Sequence, residues 1–78
     1  MLRRERRANH LVDVARGYAQ WGKSEKALAT LLEAERLAPA EVRCRPMATA
    51  TITDLLRRSK PAPPTALQQL ADRAGVAA

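Results

Sequence analysis

The side chains of this 78-residue chain that could do chemistry are few and widely spaced. His10 is the single histidine and Cys44 the single cysteine. A transition-metal site needs several converging ligands, and these two are far apart with no further partners. His10 therefore reads as a surface or structural residue. Cys44 has no adjacent base to make it a thiolate and reads as a small packing residue. One cysteine also excludes an internal disulfide. Glu33 and Glu35 point different ways on a helix, and with Lys26 and Arg36 nearby they form a solvated charged face rather than a catalytic pair. No HExxH, phosphate loop or nucleophile beside a base is present. The chain is expected to be no enzyme and to hold no cofactor and no metal.

What remains is guanidinium chemistry. Arg3, Arg4, Arg6 and Arg7 form one cluster, Arg43 and Arg45 a second, and Arg57, Arg58 and Lys60 a third, in a chain of formal charge +6 and pI near 10.8. Such groups suit an anionic partner, since neutralised phosphates release counterions. The third cluster is also explained by its own helix, because cations at a C-terminus complement the dipole. Tyr18 and Trp21 are the only aromatic residues, too few to interleave with bases on a single strand. Spaced three apart, they are neighbours on a helix. Tyr18 is assigned to the core, and Trp21 to core or rim packing, with an exposed partner anchor as the alternative.

The elements that must position these residues follow from periodicity. Leu11, Val14, Ala15 and Tyr18 fall at i, i+3, i+4 and i+7, the stripe of an amphipathic helix. Gly22 can close it in the left-handed conformation, and Ser24 follows as a candidate N-cap. A second helix turns Ala27, Leu28, Leu31, Ala34 and Leu37 inward and ends before Pro39. So tight a turn makes the pair antiparallel, an αα-hairpin with Ala27 at the close approach. Ala48, Ile52, Leu55 and Leu56 then continue at helical spacing, with irregularity expected around Pro46. Thr49, Thr51 and Thr53 are weak helix formers, so packing must hold that helix. Pro61, Pro63 and Pro64 make a stiff connection to a last helix, N-capped by Thr65, carrying Leu67, Leu70, Ala71 and Ala74 and closed by Gly75. The composition and this reading predict an all-α fold of about four helices, near residues 5–21, 24–37, 41–59 and 65–74, packed as two hairpins.

The first hairpin resembles a tetratricopeptide repeat, whose period is about 34 residues. Leu11 stands where that motif usually has tryptophan, Val14 at its leucine and Ala15 at its small residue. Tyr18 matches the tyrosine, Gly22 the turn glycine, Ala27 the interhelix alanine and Leu31 the large apolar position. Ala34 and Pro39 match the second alanine and the closing proline. The second hairpin lacks these marks and resembles a divergent or capping repeat. The wider string ANHLVDVARGYAQWGKSEKALATLLEAERLAPAEVRCRPMA, with DLLRRSK and ADRAGV after it, covers most of the chain and also looks like the C-terminal half of actinobacterial helix-turn-helix regulators of the XRE type.

These resemblances imply a basic arm or linker remnant over residues 1–8 and a repeat-like helical domain over 9–78. The implied function is a non-catalytic regulatory module that associates with itself or with a DNA-binding domain in cis or in trans. The alternatives are weak, sequence-independent nucleic-acid binding through the basic clusters, and a truncated remnant without activity of its own. LQQLADRAGV resembles the first helix and turn of a helix-turn-helix, but after the turn at Gly75 only Val76, Ala77 and Ala78 remain, too few for a recognition helix. No apolar run approaches the ~18 residues of a membrane span, and MLRRERRANHLVDVA has no apolar core of a secretory signal. A cytoplasmic protein is expected.

Overall fold

Local backbone chemistry sets the ends of every helix. A computed structural model describes residues 3–59 and 61–76, and in them the chain forms five helices and no strand. They are α1 (Arg3–Gln20), α2 (Ser24–Leu37), α3 (Pro39–Arg43), α4 (Pro46–Arg58) and α5 (Thr65–Arg73). The turn between α1 and α2 depends on Gly22, whose φ of +78° lies in the left-handed region. There the Lys23 amide donates to the Tyr18 carbonyl at 2.8 Å and the Gly22 amide to that of Ala19 at 3.1 Å. This 6→1 and 5→2 pair is a Schellman closure. Gly75 (φ +72°) ends α5 in the same way, with the Val76 amide bound to the Ala71 carbonyl at 2.9 Å.

Three local expectations are corrected. The helix predicted near 41–59, with irregularity expected around Pro46, is fully divided into two helices, because Pro39 and Pro46 each open one at the position where a missing N–H costs nothing. Arg45, held extended before Pro46 at φ −88° and ψ 130°, breaks them apart. Ser24 and Thr65 are not N-caps: each is the first residue inside its helix, Lys23 and Pro64 take the cap positions, and neither caps through a side chain. The weak threonines of α4 turn their hydroxyls back on the helix, Thr51 donating to the Met47 carbonyl at 2.8 Å and Thr53 to that of Thr49 at 3.0 Å. Thr51 is thereby buried with its hydroxyl satisfied.

The hairpin of α1 and α2 is the body of the fold. Alanine makes it tight: Ala8, Ala15 and Ala19 with Val12 face Ala27, Leu31, Ala34 and Ala38, all of them buried. Small side chains let two helix backbones approach closely, so little volume is left to fill between them. The buried stripe of α1 is therefore rotated from the expected one. Ala15 is in it, but Leu11, Val14 and Tyr18 are only half-buried on its flank, as Leu28 and Leu37 are on α2. Helix α4 lies along α1 and brings in Ala48, Ile52, Leu55 and Leu56, α3 adds Val42, and α5 closes the core with Leu67, Leu70 and Ala71. The fold is all-α, built of helical hairpins.

Candidate interaction surface

Of the charged side chains, Glu35 departs furthest from its expected place. It is only 7% exposed. The Arg73 Nε donates to its Oε2 at 2.8 Å and the Arg73 Nη2 to its Oε1 at 2.7 Å, a bidentate fork. The Arg43 Nε donates to the same Oε2 at 3.1 Å. One carboxylate thus ties α2 to α3 and to α5. The bonds from Arg73 hold its carboxyl below the ordinary range against the opposing effect of burial, and Arg43 adds to the lowering. The solvated face expected for Glu35 is corrected to a buried ionic node, while Glu33 does lie exposed, 4.0 Å from Arg36. The sequence signal was weak: Arg73 is thirty-eight residues away from its partner.

The node changes the reading of the arginine clusters. Arg43 is held by Glu35, and Arg45 by Glu41 at 2.6 Å. Arg58 pairs with Asp54 at 3.1 Å and donates through Nη1 to the Ala19 carbonyl at the end of α1. It therefore stabilises the C-terminus of α1 as well as its own helix. Three of the arginines offered as nucleic-acid contacts are thus paired with carboxylates of the fold while remaining exposed, and Arg57 is exposed as well. Arg3, Arg4, Arg6 and Arg7 sit exposed in the opening turns of α1, which begins two residues earlier than expected. Among the described residues none of the four pairs with a carboxylate. Lys60 lies outside the described residues.

Trp21 is 80% exposed, which corrects the expected core or rim packing. The Lys23 Nζ stands 6.0 Å from its ring centroid, and the Lys26 Nζ 5.9 Å from that of Tyr18. Cys44 is exposed rather than packed, and His10 is exposed too. No three metal-binding side chains come together among the described residues. No described helix is long and apolar enough to cross a membrane.

Two sides of the hairpin are thereby distinguished. On one, α4 meets α1 beside a groove of about 440 Å³ lined by Arg16, Ala19 and Gln20 of α1 and by Met47, Ala50 and Asp54 of α4. On that side too, Leu28 of α2 lies near Leu55 and Leu67. On the other side, helical spacing brings Leu11, Val14 and Tyr18 into one stripe of α1 beside Lys26, Thr30 and Leu37 of α2. That stripe is half-buried, with Trp21 exposed at its end. Comparison with known proteins found no matching family, no similar curated protein and no similar solved structure.

Proposed function

We propose that this chain is a non-catalytic helical interaction module that docks a protein on the open side of its α1–α2 hairpin. The observation that supports it best is the stripe of Leu11, Val14 and Tyr18, half-buried beside α2 and ending at the exposed Trp21. A core this small gains by burying such a face against a neighbour. The resemblance of the hairpin to a tetratricopeptide repeat points the same way, since a repeat unit buries its faces by stacking. In this reading the chain is the regulatory half of a cytoplasmic XRE-type transcriptional regulator. Its partner is a second copy of itself or a DNA-binding domain, in cis or in trans.

Sedimentation of the chain alone and with an XRE-type helix-turn-helix domain tests the reading. The expected result is a rise in mass in at least one case, lost in Val14→Asp while circular dichroism keeps its helical signature. Val14 is suited to the purpose because it is half-buried and lies outside the core cluster. Strictly monomeric behaviour both alone and in the mixture would sink the proposal.

A further inference from the structure

The open side of the hairpin is not uniformly apolar, and its charges are ordered along its length. Successive residues of a helix turn by about 100°, so Arg4 and Arg7 share the flank of α1 that carries Leu11, Val14 and Tyr18. The two arginines are exposed at its N-terminal end. At the opposite end Lys26 stands by the Tyr18 ring and Lys23 by Trp21. The surface therefore runs from guanidinium groups through an aliphatic centre to aromatic rings accompanied by ammonium groups. On the same side α2 carries one carboxylate, Glu33, and it already faces Arg36 at 4.0 Å. From Arg7 to Tyr18 the rise of 1.5 Å per residue gives about 16 Å, the length of three helical turns.

We propose that this surface takes an acidic amphipathic helix, whose apolar stripe lies on Leu11, Val14 and Tyr18 and whose carboxylates meet the basic residues at the two ends. The inference rests on the docking function proposed above and adds the chemical class of the partner. Charge complementarity selects it. A partner helix of four to five turns with Asp or Glu in its first and last turns places carboxylates at both basic ends, and its i, i+3, i+4, i+7 positions cover the centre. A second copy of the chain fits less well. Paired head to tail, it sets Arg4 and Arg7 against Lys23 and Lys26, and paired head to head it sets like clusters on one another, so cations meet cations in either register. A lipid surface needs apolar side chains that leave the protein to enter the acyl region. Here Leu11 and Tyr18 pack against the core, and Trp21 alone projects. A phosphate backbone would leave the apolar centre unused.

The test uses the whole chain and three synthetic helices of about eighteen residues that share one apolar stripe and carry Glu, Gln or Lys in their terminal turns. Anisotropy of the labelled peptides should show the Glu-ended helix bound at least tenfold tighter than the Gln-ended one at low salt, with the Lys-ended helix weakest. Raising the salt should shrink that preference, because exposed charges are screened. The double variant Arg4→Glu, Arg7→Glu should lose the Glu-ended helix and gain affinity for the Lys-ended one, a gain that misfolding cannot produce. Equal binding of the Glu- and Gln-ended helices would overturn the acidic partner and leave the docking surface standing. So would failure of all three helices while Val14→Asp still abolishes sedimentation-detected association; failure of both experiments removes the docking function as well. A blue shift of Trp21 emission on phosphatidylglycerol vesicles, without binding of the Glu-ended helix, would assign the surface to lipid and overturn the proposal.

Discussion

Glu35 shows how one side chain can hold several helices. Its carboxylate is buried, yet the side chains of Arg43 and Arg73 keep 40% and 39% of their surface in water. Solvent screens a pair of that kind, so Glu35→Gln is expected to cost about 1–2 kcal/mol rather than the ~3–5 kcal/mol of a fully buried broken pair. The sign of its pH dependence follows from the lowered carboxyl. A group that is more acidic folded than unfolded stabilises the fold above its unfolded value, here 4.5, and that contribution is lost as pH falls through the folded value. Urea midpoints of the wild type and Glu35→Gln should therefore differ by a constant amount near neutrality and converge in acid below 4.5. A gap that persists undiminished in strong acid would show that the node contributes nothing through charge. Loss of Arg73, which supplies two bonds, should cost more than loss of Arg43, which supplies one.

At the scale of the element, the α1–α2 hairpin rests on small residues. Ala27 is fully buried and Ala29 exposed, although they are neighbours on the same helix. Ala27→Trp should destabilise the chain by at least the ~1–3 kcal/mol typical of overpacking. Ala29→Trp should stay within about 0.5 kcal/mol of wild type, as surface substitutions do. Equal urea midpoints for the two would contradict the packing described. The helix ends at Gly22 and Pro39 and the place of Ala27 were legible in the sequence, because glycine, proline and helical periodicity act locally. The rotation of α1 was not. Leu11, Val14 and Tyr18 make a better hydrophobic pattern than Ala8, Val12, Ala15 and Ala19, and only the close approach of two alanine-rich helices makes the second stripe the inner one. The node at Glu35 was hidden for the converse reason, since its strongest partner is distant in sequence and a lone glutamate among charges looks like surface. Trp21 gave no local signal at all: it sits beside the turn glycine, where a ring can fold inward or stand in water.

Across the whole molecule, a charge of +6 is not one basic face. Arg36, Arg43, Arg45, Arg58 and Arg73 face carboxylates within the fold, and Arg4 and Arg7 lie at the opposite end of α1 from Lys23 and Lys26. At ~0.15 M salt the chain is expected to bind random duplex DNA no tighter than the non-specific range of ~10⁻⁴ to 10⁻⁶ M. Anisotropy at two salt concentrations checks this. A nanomolar affinity that falls steeply with salt, in a protein that sediments as a monomer, would instead make nucleic-acid binding the function.

The proline segment before α5 has a kinetic consequence. Prolines 61, 63 and 64 lie outside any helix, so the nine residues of α5 join the body through Leu67, Leu70 and Ala71 and through the grip of Glu35 on Arg73. Such an element can open as a unit while the α1–α2 hairpin stays intact. Amide protons of α5 should then exchange with solvent at a lower opening free energy than those of α1 and α2. Glu35→Gln should speed the exchange of α5 most, with α3 loosened to a lesser degree through Arg43, making the last helix the first part of the fold to come undone.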